Sequence, residues 1–197
     1  MKTALSSFIV ILFSFNLTHG QNLNTSDSMN VSTVIKEFFN WYVDAIKRTI
    51  KTDYQPKFVK GKNGMTTLNF KGYFANLKRL HCTENLIQNE RDSYNECLSN
   101  ISKIKFTDFK TRFTDLDQFE SVNCNFENYY RWTGGQEPID GIIIERIEQI
   151  HINTFIATVT YYTDNGKDYG VSYWGTNKIS MLKNNDKWMI NDINWRD

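Results

Sequence analysis

The sequence predicts an α+β protein, and three observations carry that expectation. A long stretch of helical periodicity comes first, shorter helical segments follow it, and the last third alternates apolar and polar residues between turn signals. Helices that precede a run of hairpins segregate from the sheet, unlike the alternating order that builds a parallel sheet.

The first element spans residues 31–50. Val31, Val34, Ile35, Phe38, Tyr42, Ala45 and Ile46 recur at steps of three and four, while Lys36, Asn40, Asp44, Lys47, Arg48 and Lys51 fall largely on the other side. This is an amphipathic helix with one face in the core, and Asn30 is placed to be its N-cap. Phe39 and Trp41 widen the apolar stripe, so the helix is expected to lie across a broad surface such as a sheet.

Pro56 ends the pattern. Between Phe58 and Phe70, Gly61 and Asn63-Gly64 give a turn between two short extended pieces. Residues 71–103 return to helical spacing and predict two helices with a break near His81–Glu84. Residues 104–140 are aromatic and polar without a period, and Trp132–Pro138, with two glycines, marks a loop.

Residues 141–152 suit a helix or a strand and are read as a strand. Thr154–Tyr162 alternates, with Phe155, Ala157, Val159 and Tyr161 on one face. Asp164-Asn165-Gly166 is a hairpin turn, and Val171–Leu182 is the return strand, bent at Gly175. Asn184-Asn185-Asp186 turns again. The final strand carries Trp188, Ile190, Ile193 and Trp195, and the three-residue step from 190 to 193 predicts a β-bulge.

The N-terminus has the parts of a secretory signal: Lys2, an apolar run from Ala4 to Leu17, and Thr18-His19-Gly20 before a cut at Gln21. The run is shorter than the ~20 apolar residues of a spanning helix. A periplasmic or secreted protein is expected, with no transmembrane segment after cleavage. Residues 1–20 are then the signal, 21–29 a loose polar leader, and 30–197 a single α+β domain.

Composition bounds the function. Hydrophobic residues at 40% are enough for a core, and 23 basic against 22 acidic residues give a net charge of +1. That balance lacks the basic footprint of a nucleic-acid partner. Export permits disulfides, and three cysteines leave at least one unpaired in the chain. Cys82–Cys97 is the favoured pair because both lie in one helical stretch; three reduced thiols are the alternative.

Little points to catalysis. His81 and His151 are not in metal-ligand spacing, and His81-Cys82, adjacent in sequence, is not how a nucleophile and its base are arranged. No metal, cofactor or catalytic residue is assigned. Asp115, Asp117, Glu120 and Glu137 are loop acids, and Glu137 stands beside Gln136 and near Trp132. The aromatics Tyr129, Tyr130, Trp132, Tyr161, Tyr173 and Trp174 are numerous; they serve either core packing or a binding surface, where Tyr and Trp are favoured.

The segments VIKEFFNWYVDAIK, LNFKGYFANLKRL, SYNEC, GGQEPID and KWMINDINW resemble the DUF3828 type of uncharacterised exported bacterial proteins. In design they are similar to nuclear-transport-factor-2-like and cystatin-like folds. That resemblance implies a long helix cradled by a curved antiparallel sheet, with extra helices before the sheet. It implies no catalytic set, because such an architecture hosts many functions.

The expected function is a non-catalytic exported binding protein for a protein partner or a small ligand, an immunity or inhibitor role being one form. Trp132, Gln136, Glu137, Tyr161 and Trp174 are the candidate binding residues. The alternatives are a small cone-pocket enzyme of isomerase or hydrolase type, using a loop carboxylate and a tyrosine, and a structural accessory of the cell envelope.

Overall fold

The structure is a computed structural model and describes residues 25–194. The expected signal, its cleavage point and Trp195 lie outside those residues. The first helix, α1, runs Thr25–Ile46. Its apolar stripe is buried as the periodicity requires, with Val31, Ile35, Phe38, Phe39 and Tyr42 fully enclosed. Two boundaries differ from expectation. Thr25–Met29, read as loose leader, are helix, and Asn30 lies inside it rather than capping it. A tertiary contact holds the extra turn: Asp27 accepts hydrogen bonds from Lys183 Nζ at 3.1 Å and Trp188 Nε1 at 2.9 Å. At the other end Arg48 takes a left-handed backbone (φ 59°) and Thr49 N bonds back to Asp44 O at 2.9 Å, stopping the helix short of residue 50.

The two extended pieces form a small antiparallel pair, β1 (Lys57–Lys60) and β2 (Thr66–Asn69). The turn between them places Asn63 and Gly64 at positive φ. Five helices follow: α2 (Lys71–Arg79), α3 (Glu84–Asp92), α4 (Asn95–Ile101), α5 (Phe106–Arg112) and α6 (Leu116–Glu120). The stretch 71–103 thus holds three helices, not two. Thr83 N-caps α3, its Oγ1 accepting from Leu86 N at 3.1 Å, and the second break comes at Ser93-Tyr94.

The main sheet is an antiparallel meander of four strands in sequence order: β3 (Gly141–His151), β4 (Thr154–Asp164), β5 (Val171–Asn184) and β6 (Lys187–Asn194). Its inner face carries Phe155, Ala157, Val159, Tyr161, Ile179, Met181 and Ile190 against α1; its outer face is open to solvent. Register slips leave Glu145, Ile150, Gly175 and Asn191 as extra residues, and such bulges bend and twist a sheet. The one at Asn191 is the bulge expected between Ile190 and Ile193.

A second apolar cluster lies under the helices: Leu68, Tyr94, Cys97, Ile101, Phe109, Phe113, Cys124 and Phe126. Phe70 packs against both clusters. The disulfide belongs here, and it corrects the expected pairing. Cys97 bonds Cys124, with Cα atoms 4.8 Å apart, and Cys82 is a buried free thiol. The expectation paired Cys82 with Cys97 because both lie in one helical stretch. In space Cys82 sits in the turn against Ile190 of β6, within the main core, while Cys97 lies on α4 in the second cluster.

Candidate functional site

The candidate residues divide between the surface and the core. Gln136 and Glu137 are exposed, and Trp174 is half-buried. These three share one cleft of about 590 Å³, with Pro138 and Gly135 on the loop side and Thr163, Asn165 and Ser172 on the β4–β5 hairpin. Trp132 and Tyr161 do not reach it. They are 2% and 1% exposed, which corrects their assignment as binding residues. Tyr161 follows the inward alternation of β4. Trp132 packs edge-on against Phe38, ring centres 5.5 Å apart. Both are joined beneath the cleft, where Tyr161 Oη donates to Trp132 O at 3.0 Å. Burial raises the Tyr161 phenol well above its ordinary pKa, as expected of a hydroxyl sealed in the core.

Trp174 owes its position to Gly175. Along β5, Thr176 faces Thr160 on the outer side and strict alternation would put residue 174 outside as well. Gly175 is instead an unpaired bulge residue at φ 63°, and Trp174 faces Tyr161 on the inner side. The indole is then fixed: Nε1 donates to Thr163 Oγ1 at 3.1 Å, and the ring lies 5.5 Å from Tyr161.

The facing wall is a tight loop. Gly134 N donates to Tyr130 O at 2.8 Å and Tyr130 N to Gly135 O at 2.7 Å. A Cβ on Gly135 would come within 2.8 Å of the Trp174 ring, so only glycine allows this approach. The end of the loop is anchored at Asp140, which pairs with Lys47 of α1 and accepts from Asp164 N at 2.6 Å. The Lys47 hydrogen bond is the main cause that holds the Asp140 carboxyl below the usual carboxylate range. On the hairpin side, Asn165 Nδ2 donates to Ser172 Oγ at 2.8 Å. The result is an open cleft with one fixed aromatic wall and several polar side chains at its rim. That suits ligand binding with orientation set by hydrogen bonds.

The other loop acids are elsewhere. Asp115 is the N-cap of α6 in a capping box with Gln118, and Asp117 lies in that helix's first turn. Glu120 closes the same helix and is exposed. Among the described residues no group of three or more His, Cys, Asp and Glu side chains is placed to hold a metal ion.

The site that sequence reasoning missed is Glu90. This α3 side chain is fully enclosed. Its Oε1 accepts from Tyr73 Oη and Tyr94 Oη, both at 2.8 Å, and its Oε2 from Arg131 Nε at 2.7 Å. Burial first, and the Glu90 charge second, push both tyrosines well above their ordinary pKa. Glu90 and Tyr94 stand four apart, a spacing that brings side chains together on a helix, but the strand of contacts to Arg131 spans 41 residues and has no local signal. With the carboxylate sealed and bonded on both oxygens, this is a structural junction between α2, α3 and the loop before β3.

Comparison with known proteins gives no match: no protein family, no curated protein and no solved structure is significantly similar to this chain.

Proposed function

We propose that this is an exported, non-catalytic binding protein of the DUF3828 type, and that its ligand site is the cleft between the Gly134–Pro138 loop and the β4–β5 hairpin. The observation that carries this reading is the pairing of a fixed, half-buried Trp174 with exposed Gln136 and Glu137 across about 590 Å³ of open space. Apolar contact with the indole supplies affinity, and the amide and carboxylate at the rim select a polar ligand that presents donors. Trp132 and Tyr161 act from below, holding the loop and the Trp174 ring. The enzyme alternative has less support. The space between α1 and the sheet, where a cone-pocket enzyme would hold substrate, is filled by Phe38, Phe39 and Tyr42, and Glu90 has both oxygens engaged.

The test is a nuclear magnetic resonance screen of the full chain with saccharides, amino acids and short peptides. Binding is expected to shift the Trp174 indole N–H and the Gln136 side-chain amide. Glu137→Gln should weaken any such ligand roughly tenfold, the loss of one charge-assisted hydrogen bond, while leaving the melting temperature unchanged. Ligands that shift only signals remote from the cleft would refute the placement.

A further inference from the structure

Strand β3 is an edge of the main sheet. Among the described residues it pairs with β4 alone. The opposite edge is engaged at Ile190 of β6, whose N donates to His81 O at 2.8 Å and whose O accepts from Thr83 N at 2.9 Å. An uncovered edge presents free backbone donors and acceptors and is a template for another strand. This edge is also apolar. Ile143 and Ile150 are 42% and 45% exposed, and Ile152, in the turn after β3, is 82% exposed. Beside it runs a groove of about 620 Å³, with Ile144 and Ile147 on the strand side and Ser32 and Lys36 of α1 on the other.

We propose that this edge pairs antiparallel with the same edge of a second copy, joining two sheets into one across a two-fold axis. The charges on β3 select the register. Residues that face one another across an antiparallel pair lie on the same face of the sheet. A two-fold axis perpendicular to the sheet must therefore pass through a residue. The bulges at Glu145 and Ile150 leave Arg146–Gln149 as the regular stretch. An axis at Arg146 opposes two arginines, and an axis at Glu148 opposes two glutamates; like charges directly opposite are destabilising. An axis at Gln149 pairs no opposite charges. An axis at Ile147 places Arg146 of each copy against Glu148 of the other, twice, and brings the two Ile147 side chains together on the inner face.

Arg146 and Glu148 are suited to this. Both point to the outer, solvated face, where they stand across from Thr158 and Ile156 of β4. They are 3.1 Å apart within one chain, and their side chains are 61% and 44% exposed. Neither is needed for the core, so both are free to exchange partners at an interface. The self-complementary arrangement is isologous, as closed dimers require.

Sedimentation velocity of the full chain over a hundredfold range of concentration tests the proposal. A reversible monomer–dimer equilibrium is expected. Arg146→Glu and Glu148→Arg should each raise its dissociation constant roughly tenfold to a hundredfold, because two attractive pairs become repulsive. Mixing the two variants should restore dimer, since glutamates at 146 and 148 of one chain then face arginines at 148 and 146 of the other. Circular dichroism should show each variant folded as the parent is. A chain that stays monomeric at every concentration overturns the proposal, as would occupation of the edge by the N-terminal residues or by another protein. A dimer that neither substitution weakens overturns it, and so does a mixture of variants that stays monomeric.

Discussion

Single residues settle how a carboxylate survives in the interior. Glu90 is one of five buried polar or charged residues described, and the only acid among them. A buried charge without partners is expelled by its desolvation cost, so its neighbours must supply charge and donors. Arg131 supplies the charge and two tyrosines supply neutral hydrogen bonds. Arg131→Met should therefore cost roughly 3–5 kcal/mol, because it strands the carboxylate. Tyr73→Phe, which removes one neutral donor of two, should cost about 1–3 kcal/mol. Equilibrium urea titrations of both variants check the order, and a smaller loss for Arg131→Met than for Tyr73→Phe would show that the guanidinium is not what compensates Glu90.

At the scale of elements, the bulge at Gly175 decides which way a strand faces. Side chains alternate along a strand, so one inserted residue moves all that follows to the opposite face. Inserting one alanine between Gly175 and Thr176 should turn Trp174 to the outer face and dismantle the cleft while the sheet survives. The expected signature is a red-shifted tryptophan emission and the loss of ligand binding, with far-ultraviolet circular dichroism unchanged. Gly175→Val is the milder version. A β-branched side chain at φ 63° is strained, and a destabilisation of roughly 1–3 kcal/mol is expected from thermal melts. An unstrained valine variant with full binding would show that the bulge does not set the position of Trp174.

For the whole molecule, stability rests on two apolar clusters that the disulfide treats unequally. Cys97–Cys124 spans a sequence separation of 27, and both cysteines belong to the helical cluster. In the chain-entropy account such a loop contributes roughly 3.5 kcal/mol. Reduction, or Cys124→Ser, should expose amides of α4–α6 to hydrogen exchange well before those of β4 and β5. Uniform loss of protection across both clusters would show that they unfold as one unit.

The sequence by itself determined the helical stripe of α1, the meander of strands, the turns and even the bulge near Asn191. Those features rest on spacings of two to four residues, which one can read directly from neighbours in the chain. It also drew attention to Gln136, Glu137 and Trp174, through a glycine loop and an aromatic strand, and the structure places these three along one cleft. The tertiary structure alone decided the rest. Whether Trp132 and Tyr161 meet ligand or core depends on what lies across from them: Phe38 of α1 and each other. The cysteine pairing depends on which cluster each helix joins. The extra turn of α1 depends on a contact between Asp27 and residues about 160 positions away. Each of these is a choice between partners far apart in sequence, and local periodicity contains no term for it.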